Sequence, residues 1–297
     1  MTCFFLTQHL FVFIFGTVVG SFLNVVILRL PKKEKFTTNR SYCPHCKHKL
    51  GPLDLVPILS FLFLKGRCRY CRKKISIQYL LVELTTGTLF VLAFILINNL
   101  VAQTSSQIFL PLYFLSLLFI LSGLIAIFVI DLKFLIIPNS ILLPLTAVSL
   151  VCGPLWSFLG FKQNVLRIDS LFFEAQYVLK SLLHQDYSNY IFISPLPSSL
   201  TPILTGILSF GFMLLIHLFS HGKGMGMGDV KFALFMGVFL GWPETLWAYY
   251  LAFGSGAMIS LFLMLLKQKG LKDKIPFGPF LVLGTILAFF VGFWRSN

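Results

Sequence analysis

The chain has 297 residues, 57% of them hydrophobic and only 11% charged, with a mean hydropathy of +0.87. Soluble domains carry about 25% charged residues, so the composition excludes an ordinary soluble globular protein and fits a polytopic membrane protein. The net charge of +14 would suit a nucleic-acid partner, but the basic residues fall between apolar runs, where a lipid bilayer accounts for them and no nucleic acid is needed.

Apolar stretches long enough to cross a bilayer, about 17–25 residues, are predicted near Phe4–Leu30, Tyr79–Asn98, Phe109–Ile130, Phe134–Leu155, Leu200–Phe219, Trp247–Leu266 and Phe277–Trp294. An eighth, Val230–Trp242, spans 13 residues and suits a re-entrant or protein-buried helix better than a lipid-facing span. The first stretch has no basic residue before it and Arg29, Lys32, Lys33 and Lys35 after it. That polarity is wrong for a cleaved signal peptide, so the expectation is a retained helix with its N-terminus outside. Eight passages then place 31–78, 131–133, 220–229 and 267–275 in the cytoplasm. With their flanks these segments hold 20 of the 24 Lys and Arg, the positive-inside bias that sets orientation. The fold expected is an all-α polytopic membrane protein of about eight transmembrane helices.

Three regions follow: 1–30 an N-terminal transmembrane helix, 31–78 a cytoplasmic basic module, and 79–297 a membrane-embedded helical domain. Within the last, 153–199 reads as a wetter linker on the outer side, with the amphipathic pattern "LRIDSLFFEAQYVLKSLLHQ" suited to the interface. No internal repeat or low-complexity run is visible.

The module carries "YCPHCKHKL" and "GRCRYCRKK", which supply Cys43, Cys46, Cys68 and Cys71 as two CxxC pairs 21 residues apart. This is close to the two-knuckle spacing of structural zinc sites, in which four thiolates complete a tetrahedral shell with no open position for substrate. Redox-active or empty thiols are the alternative. A reducing cytoplasm disfavours disulfides, and His45 and His48 read as surface residues because four sulfurs already fill the shell. The site expected is a zinc-ribbon-like structural module.

Among ten acidic residues, Glu83, Asp131 and Asp229 fall within or against the apolar runs on the cytoplasmic side. Ionisable groups there are costly and raise functional hypotheses. Asp229 follows the glycines at 222, 224, 226 and 228 in "GKGMGMGD". Those glycines suit either the close approach of an extended peptide or a flexible connector. Asp229 also suits a helix cap, and Asp131 a solvated helix-end charge beside Lys133. The passage count puts both aspartates at one membrane edge. Two carboxylates meeting there could not both ionise cheaply, which yields an acid and a base. Glu83 reads as a partner for a nearby cation, a cap for a neighbouring helix, or a functional residue at the membrane edge. Lys231 reads as a carboxylate's counter-charge or a snorkelling surface lysine.

"GMGD" (Gly226 to Asp229), with Asp131 followed by "PN" at Pro138 and Asn139, resembles the bacterial type IV prepilin peptidases, intramembrane aspartic proteases of the GxGD type. "GSFLNVVILRLP", "CPHC", "DLVPILSFLFLKGRCRYC", "ISIQYLLVELTTG" and "IPFGPFLVLG" follow that family's order. The resemblance implies catalytic Asp131 and Asp229; Gly226, Gly228, Lys231 and Glu83 are read as support for the substrate and its loop, with Glu83 shaping the substrate site or the methylation site. It implies cleavage of prepilin and pseudopilin leaders at the cytoplasmic face of the inner membrane. N-methylation of the new terminus by S-adenosylmethionine is also implied, since the tetracysteine module accompanies the bifunctional bacterial enzymes. No Rossmann-type glycine fingerprint locates the methyl donor. An ion- or proton-coupled transporter and a non-enzymatic assembly factor are the rival readings. One-edge carboxylates without a broken-helix repeat argue against transport.

Overall fold

The computed structural model describes residues 2–34, 41–101, 110–158, 200–222, 225–266 and 276–296. Of the outer-side segment expected at 153–199, residues 159–199 with their amphipathic pattern lie outside them, and 153–158 belong to a helix. In chain order the helices are α1 (Thr2–Arg29), α2 (Leu59–Phe63), α3 (Gln78–Val101), α4 (Leu110–Phe134), α5 (Asn139–Phe158), α6 (Thr201–Phe219), α7 (Met227–Leu240), α8 (Glu244–Leu265) and α9 (Gly278–Ser296), with a 3₁₀ turn at Pro52–Asp54. Among the described residues there is no strand beyond two isolated bridges, so the chain is all-helical as expected. Among the described residues five helices are long and apolar enough to cross a membrane: Leu6–Arg29, Gln78–Asn98, Pro111–Phe134, Thr201–Phe219 and Glu244–Leu265. Asn139–Gly153 and Gly278–Gly292 are apolar but shorter, and α7 has 14 residues. The eight apolar helices together match the sequence expectation.

Prolines set several boundaries. The apolar run expected from Phe134 starts as a helix only at Asn139, because Pro138 disfavours helical geometry before it and Leu135 takes φ 55°. Likewise α8 begins at Glu244, directly after Pro243, where a proline's missing N–H costs nothing.

The described residues form two compact units. In the first, Met1–Leu145 with Phe262–Val282, α1 lies against α3 and α4. Side chains would keep α1 and α3 apart at two points: a Cβ on Gly16 would sit 2.8 Å from the Cα of Gly87, and one on Gly20 would sit 2.8 Å from the Cα of Glu83. In lipid, where apolar burial gives little drive to associate, such close backbone approach is what holds helices together. Asn24 adds a polar tie, its Nδ2 donating to the carbonyl of Tyr79 at 3.2 Å. Leu23 and Ile27, Val82, and Ile125, Ala126 and Ile130 form the shared core of α1, α3 and α4.

In the second unit, Thr146–Leu261 with Leu283–Asn297, α6 packs on α7 by the same device. A Cβ on Gly237 would stand 2.7 Å from the Cα of Gly206. Every residue of α7 from Val230 to Leu240 is buried except Lys231 and the half-buried Leu234, as expected of a helix apolar on all sides. The short eighth stretch is therefore a protein-buried helix. The Ser209 hydroxyl donates to the carbonyl of Ala233 at 2.7 Å and lies 2.6 Å from the Tyr249 hydroxyl, joining α6, α7 and α8.

Candidate active site and metal centre

The four cysteines converge. Their sulfurs all lie within 4.8 Å of one another, and the Cys43 and Cys71 sulfurs are 3.8 Å apart. A tetrahedral zinc with Zn–S bonds of about 2.3 Å needs sulfur–sulfur edges of about 3.8 Å, whereas a disulfide closes to about 2.05 Å. Geometry and donor chemistry thus fit a four-thiolate metal and no disulfide pairing. His45 and His48 are exposed, as expected, and outside this cluster.

The two knuckles repeat one another. In the first, the N–H of Cys43 donates to the carbonyl of His48 and that of Lys47 to Cys43; in the second, Cys68 donates to Lys73 and Arg72 to Cys68, all between 2.8 and 3.0 Å. Lys47 and Arg72, each four residues past its first cysteine, take left-handed φ values of 57° and 56°. Bridges Tyr42–Lys49 and Arg67–Lys74 close the two loops. This repeat of about eight residues is too short to register as an internal repeat in the sequence. The rings of His48 and Tyr70 face each other across the knuckles with centroids 3.7 Å apart. Asp54 braces the second knuckle through Arg69 at 2.9 Å and Tyr70 at 3.2 Å.

The thiols are unequal. Burial raises the Cys43 thiol, but the N–H groups of Cys46 and His45 and the neighbouring sulfurs outweigh it and hold the group at about 7. At Cys71 the N–H of Lys73 lowers the value, and desolvation with the three other sulfurs overrides it, to about 11.

Asp131 sits in the last turn of α4, 5% exposed. Its carboxylate accepts the backbone N–H of Gly278, the first residue of α9. A Cβ at Gly278 would stand 2.5 Å from Oδ2 and 3.0 Å from Cγ of Asp131, so only glycine allows this approach. The reading of Asp131 as a solvated helix-end charge fails on its burial. Gly278 lies in "IPFGPFLVLG" without having been singled out, and its signal was a glycine wedged between Phe277 and Pro279.

Asp229 is 9% exposed and is the third residue of α7, not its cap. Gly226 is the cap, in extended conformation, and its N–H donates to Asp229 Oδ2 at 3.2 Å. The return bond runs from the Asp229 N–H to the Gly226 carbonyl at 3.1 Å, since glycine has no side chain to accept it. This is the carboxylate half of a capping box. The glycine loop before it is braced by His217, whose Nδ1 is 2.8 Å from the carbonyl of Met225. Gly222 takes φ 70°. Lys223 and Gly224 lie outside the described residues. His217 was missed by sequence reasoning, as nothing in a lone histidine at a helix end marks it.

Gly228 is half-buried inside α7, and Lys231 is exposed on it. Glu83 is buried in α3, where its Oε2 accepts the N–H of Ile58 at 2.8 Å and Ser21 bonds its side chain. Ile58 caps α2, so Glu83 caps a neighbouring helix, one of the roles foreseen. Asp131 and Glu83 belong to the first unit and Asp229 to the second.

Comparison with known proteins covers both units. Residues 14–97 match the Bacterial Peptidase A24 N-terminal domain and residues 118–264 match the Type IV leader peptidase family. A prepilin leader peptidase/N-methyltransferase of Bacillus subtilis (strain 168) is 31% identical over 94% of this chain and 93% of its own length. One from Aeromonas hydrophila is 30% identical over 95% and 90%, and one from Klebsiella pneumoniae is 33% identical over 80% and 88%. No solved structure matches. With both domain matches in order and 31% identity sustained along nearly the full chain, this protein belongs to the type IV leader peptidase family.

Proposed function

We propose that this membrane protein cleaves the leader peptides of prepilins and pseudopilins and N-methylates the terminus so exposed, with Asp131 and Asp229 as the catalytic carboxylates. The observation that carries the reading is the burial of both aspartates inside the 118–264 family match. One carboxylate, ionised, takes a proton from water as it attacks the scissile carbonyl. The other, protonated, hydrogen-bonds the carbonyl oxygen and stabilises the tetrahedral intermediate. Gly226 and Gly228, lacking side chains, leave room for an extended leader beside Asp229, and Lys231 supplies positive charge near it.

S-adenosylmethionine is the methyl donor of the second reaction, which requires the new amine in its neutral form. Cys43, Cys46, Cys68 and Cys71 would hold one zinc ion in a closed shell whose role is structural. The positive-inside bias supports an N-terminus outside the inner membrane and a cysteine module and cleavage site facing the cytoplasm. Three regions are proposed: the helix 1–30, the cysteine module 31–78, and the peptidase domain 79–297. No observation favours a transporter or a non-enzymatic assembly factor.

The test is a purified reaction on a prepilin-like peptide, with and without S-adenosylmethionine, using wild type, Asp131→Asn and Asp229→Asn. Both variants should insert and bind metal yet leave the peptide uncut. Normal cleavage by either would sink the assignment.

A further inference from the structure

The segment between the two knuckles is unlike the rest of the module. "LDLVPILSFLFL", residues 53–64, contains one charge, and that charge, Asp54, is paired with Arg69. Phe61 turns inward, its ring 3.0 Å from where a Cβ on Gly66 would stand. Leu59, Leu62 and Phe63, on the outer face of α2, are exposed, Phe63 by 82% and Leu53 nearby by 70%. A soluble zinc module would not leave such a surface bare.

The position of α2 says what covers it. Ile58, its cap, is bonded to Glu83, and Glu83 lies inside the apolar span Gln78–Asn98. Five residues of helix place Glu83 roughly 7.5 Å past the start of that span. The depth matches the roughly 5–10 Å to which interfacial amphipathic segments enter a bilayer. Exposed Lys65 and Arg67 follow α2 directly, and Lys73 and Lys74 precede the exposed Ile77 at the mouth of α3. Long cationic side chains so placed can reach anionic headgroups while their stems stay apolar.

We propose that residues 53–64 form a membrane-interfacial element. Leu59, Leu62 and Phe63 sit among the acyl chains of the leaflet nearest the cysteine module, and Lys65, Arg67, Lys73 and Lys74 lie at its headgroups. The module is held flat on the bilayer instead of projecting from it. This inference rests on α3 crossing the membrane and not on the peptidase assignment.

The test uses the full chain in nanodiscs of phosphatidylethanolamine and phosphatidylglycerol, with its four tryptophans replaced by phenylalanine. Phe63→Trp introduces one reporter and His45→Trp, on the exposed first knuckle, a reference. With acyl-brominated lipids, Phe63→Trp emission should be quenched, as expected of a ring seated among the acyl chains, while the reference holds. Leu59→Trp provides the same reading should Phe63→Trp fail to fold. Reporters at 59 and 63 that brominated lipid leaves as bright as the reference would overturn the proposal. So would emission that ignores brominated lipid but shifts on adding a prepilin peptide, which would assign the face to substrate.

Discussion

The backbone N–H of Gly278 holds the carboxylate of Asp131, at a distance that leaves no room for a Cβ on Gly278. The start of α9 is therefore part of what aims this side chain. Gly278→Ala should push the carboxylate aside and lower kcat for leader cleavage by about 10- to 100-fold, since displacements near 1 Å cost this much. Metal content and membrane insertion should match wild type. Steady-state kinetics on a prepilin peptide check it, and an unchanged kcat would show that the contact does not serve catalysis.

Asp229 has a structural duty besides the proposed chemical one, and two substitutions separate them. Asp229→Asn keeps an oxygen for the Gly226 N–H, whereas Asp229→Ala loses it. Both should be inactive in cleavage. Only the alanine variant should lose about 1 kcal/mol of stability, the usual worth of a helix-terminus cap. Thermal unfolding in detergent reads the difference, and identical midpoints for the two variants would remove the cap from the account.

The unequal thiols make metal binding depend on pH. Without metal, Cys71, pushed up to about 11, carries its proton at neutral pH, and Cys43, held at about 7, is roughly half ionised. Metal must displace those protons, so affinity should strengthen as pH rises from about 6 to 8, by about tenfold per unit for each proton released. Competition against a chromophoric chelator across that range is the measurement. A flat profile would argue against thiolate ligation.

Glu83 should be felt at a distance from its own helix. Glu83→Ala leaves the Ile58 N–H without its acceptor, a loss of about 1–3 kcal/mol. Amides of residues 58–64 should then exchange with solvent roughly 10- to 100-fold faster. Hydrogen–deuterium exchange of the metal-loaded protein in nanodiscs tests this. Protection equal to wild type would mean that other contacts hold α2.

Much of this was readable beforehand, for identifiable reasons. Cysteine spacing encodes a sulfur cluster locally, because a two-residue gap turns two thiols to one point. Hydropathy marked the long helices, since lipid demands unbroken apolar runs. What was not readable came from contacts between distant segments. Gly278 meets Asp131 and Ile58 meets Glu83 only in the fold, and no periodicity along one segment carries such a pairing. The apolar residues 53–64 were overlooked for another reason: a twelve-residue run is too short for a span, and its basic flanks made the whole module look polar. Helix starts moved where a proline vetoed the hydropathy pattern, as at Asn139.

The paired knuckles have a topological consequence. A metal joining Cys46 to Cys68 would turn the 21 residues between them into a closed ring. A flexible segment of that length gives up on the order of 2–3 kcal/mol on closure, and the cluster bears that cost in place of the contacts inside the ring. Without that closure the stretch would still be held by the bond from Ile58 to Glu83, by Asp54 with Arg69 and Tyr70, and by the proposed seat of α2 in the bilayer.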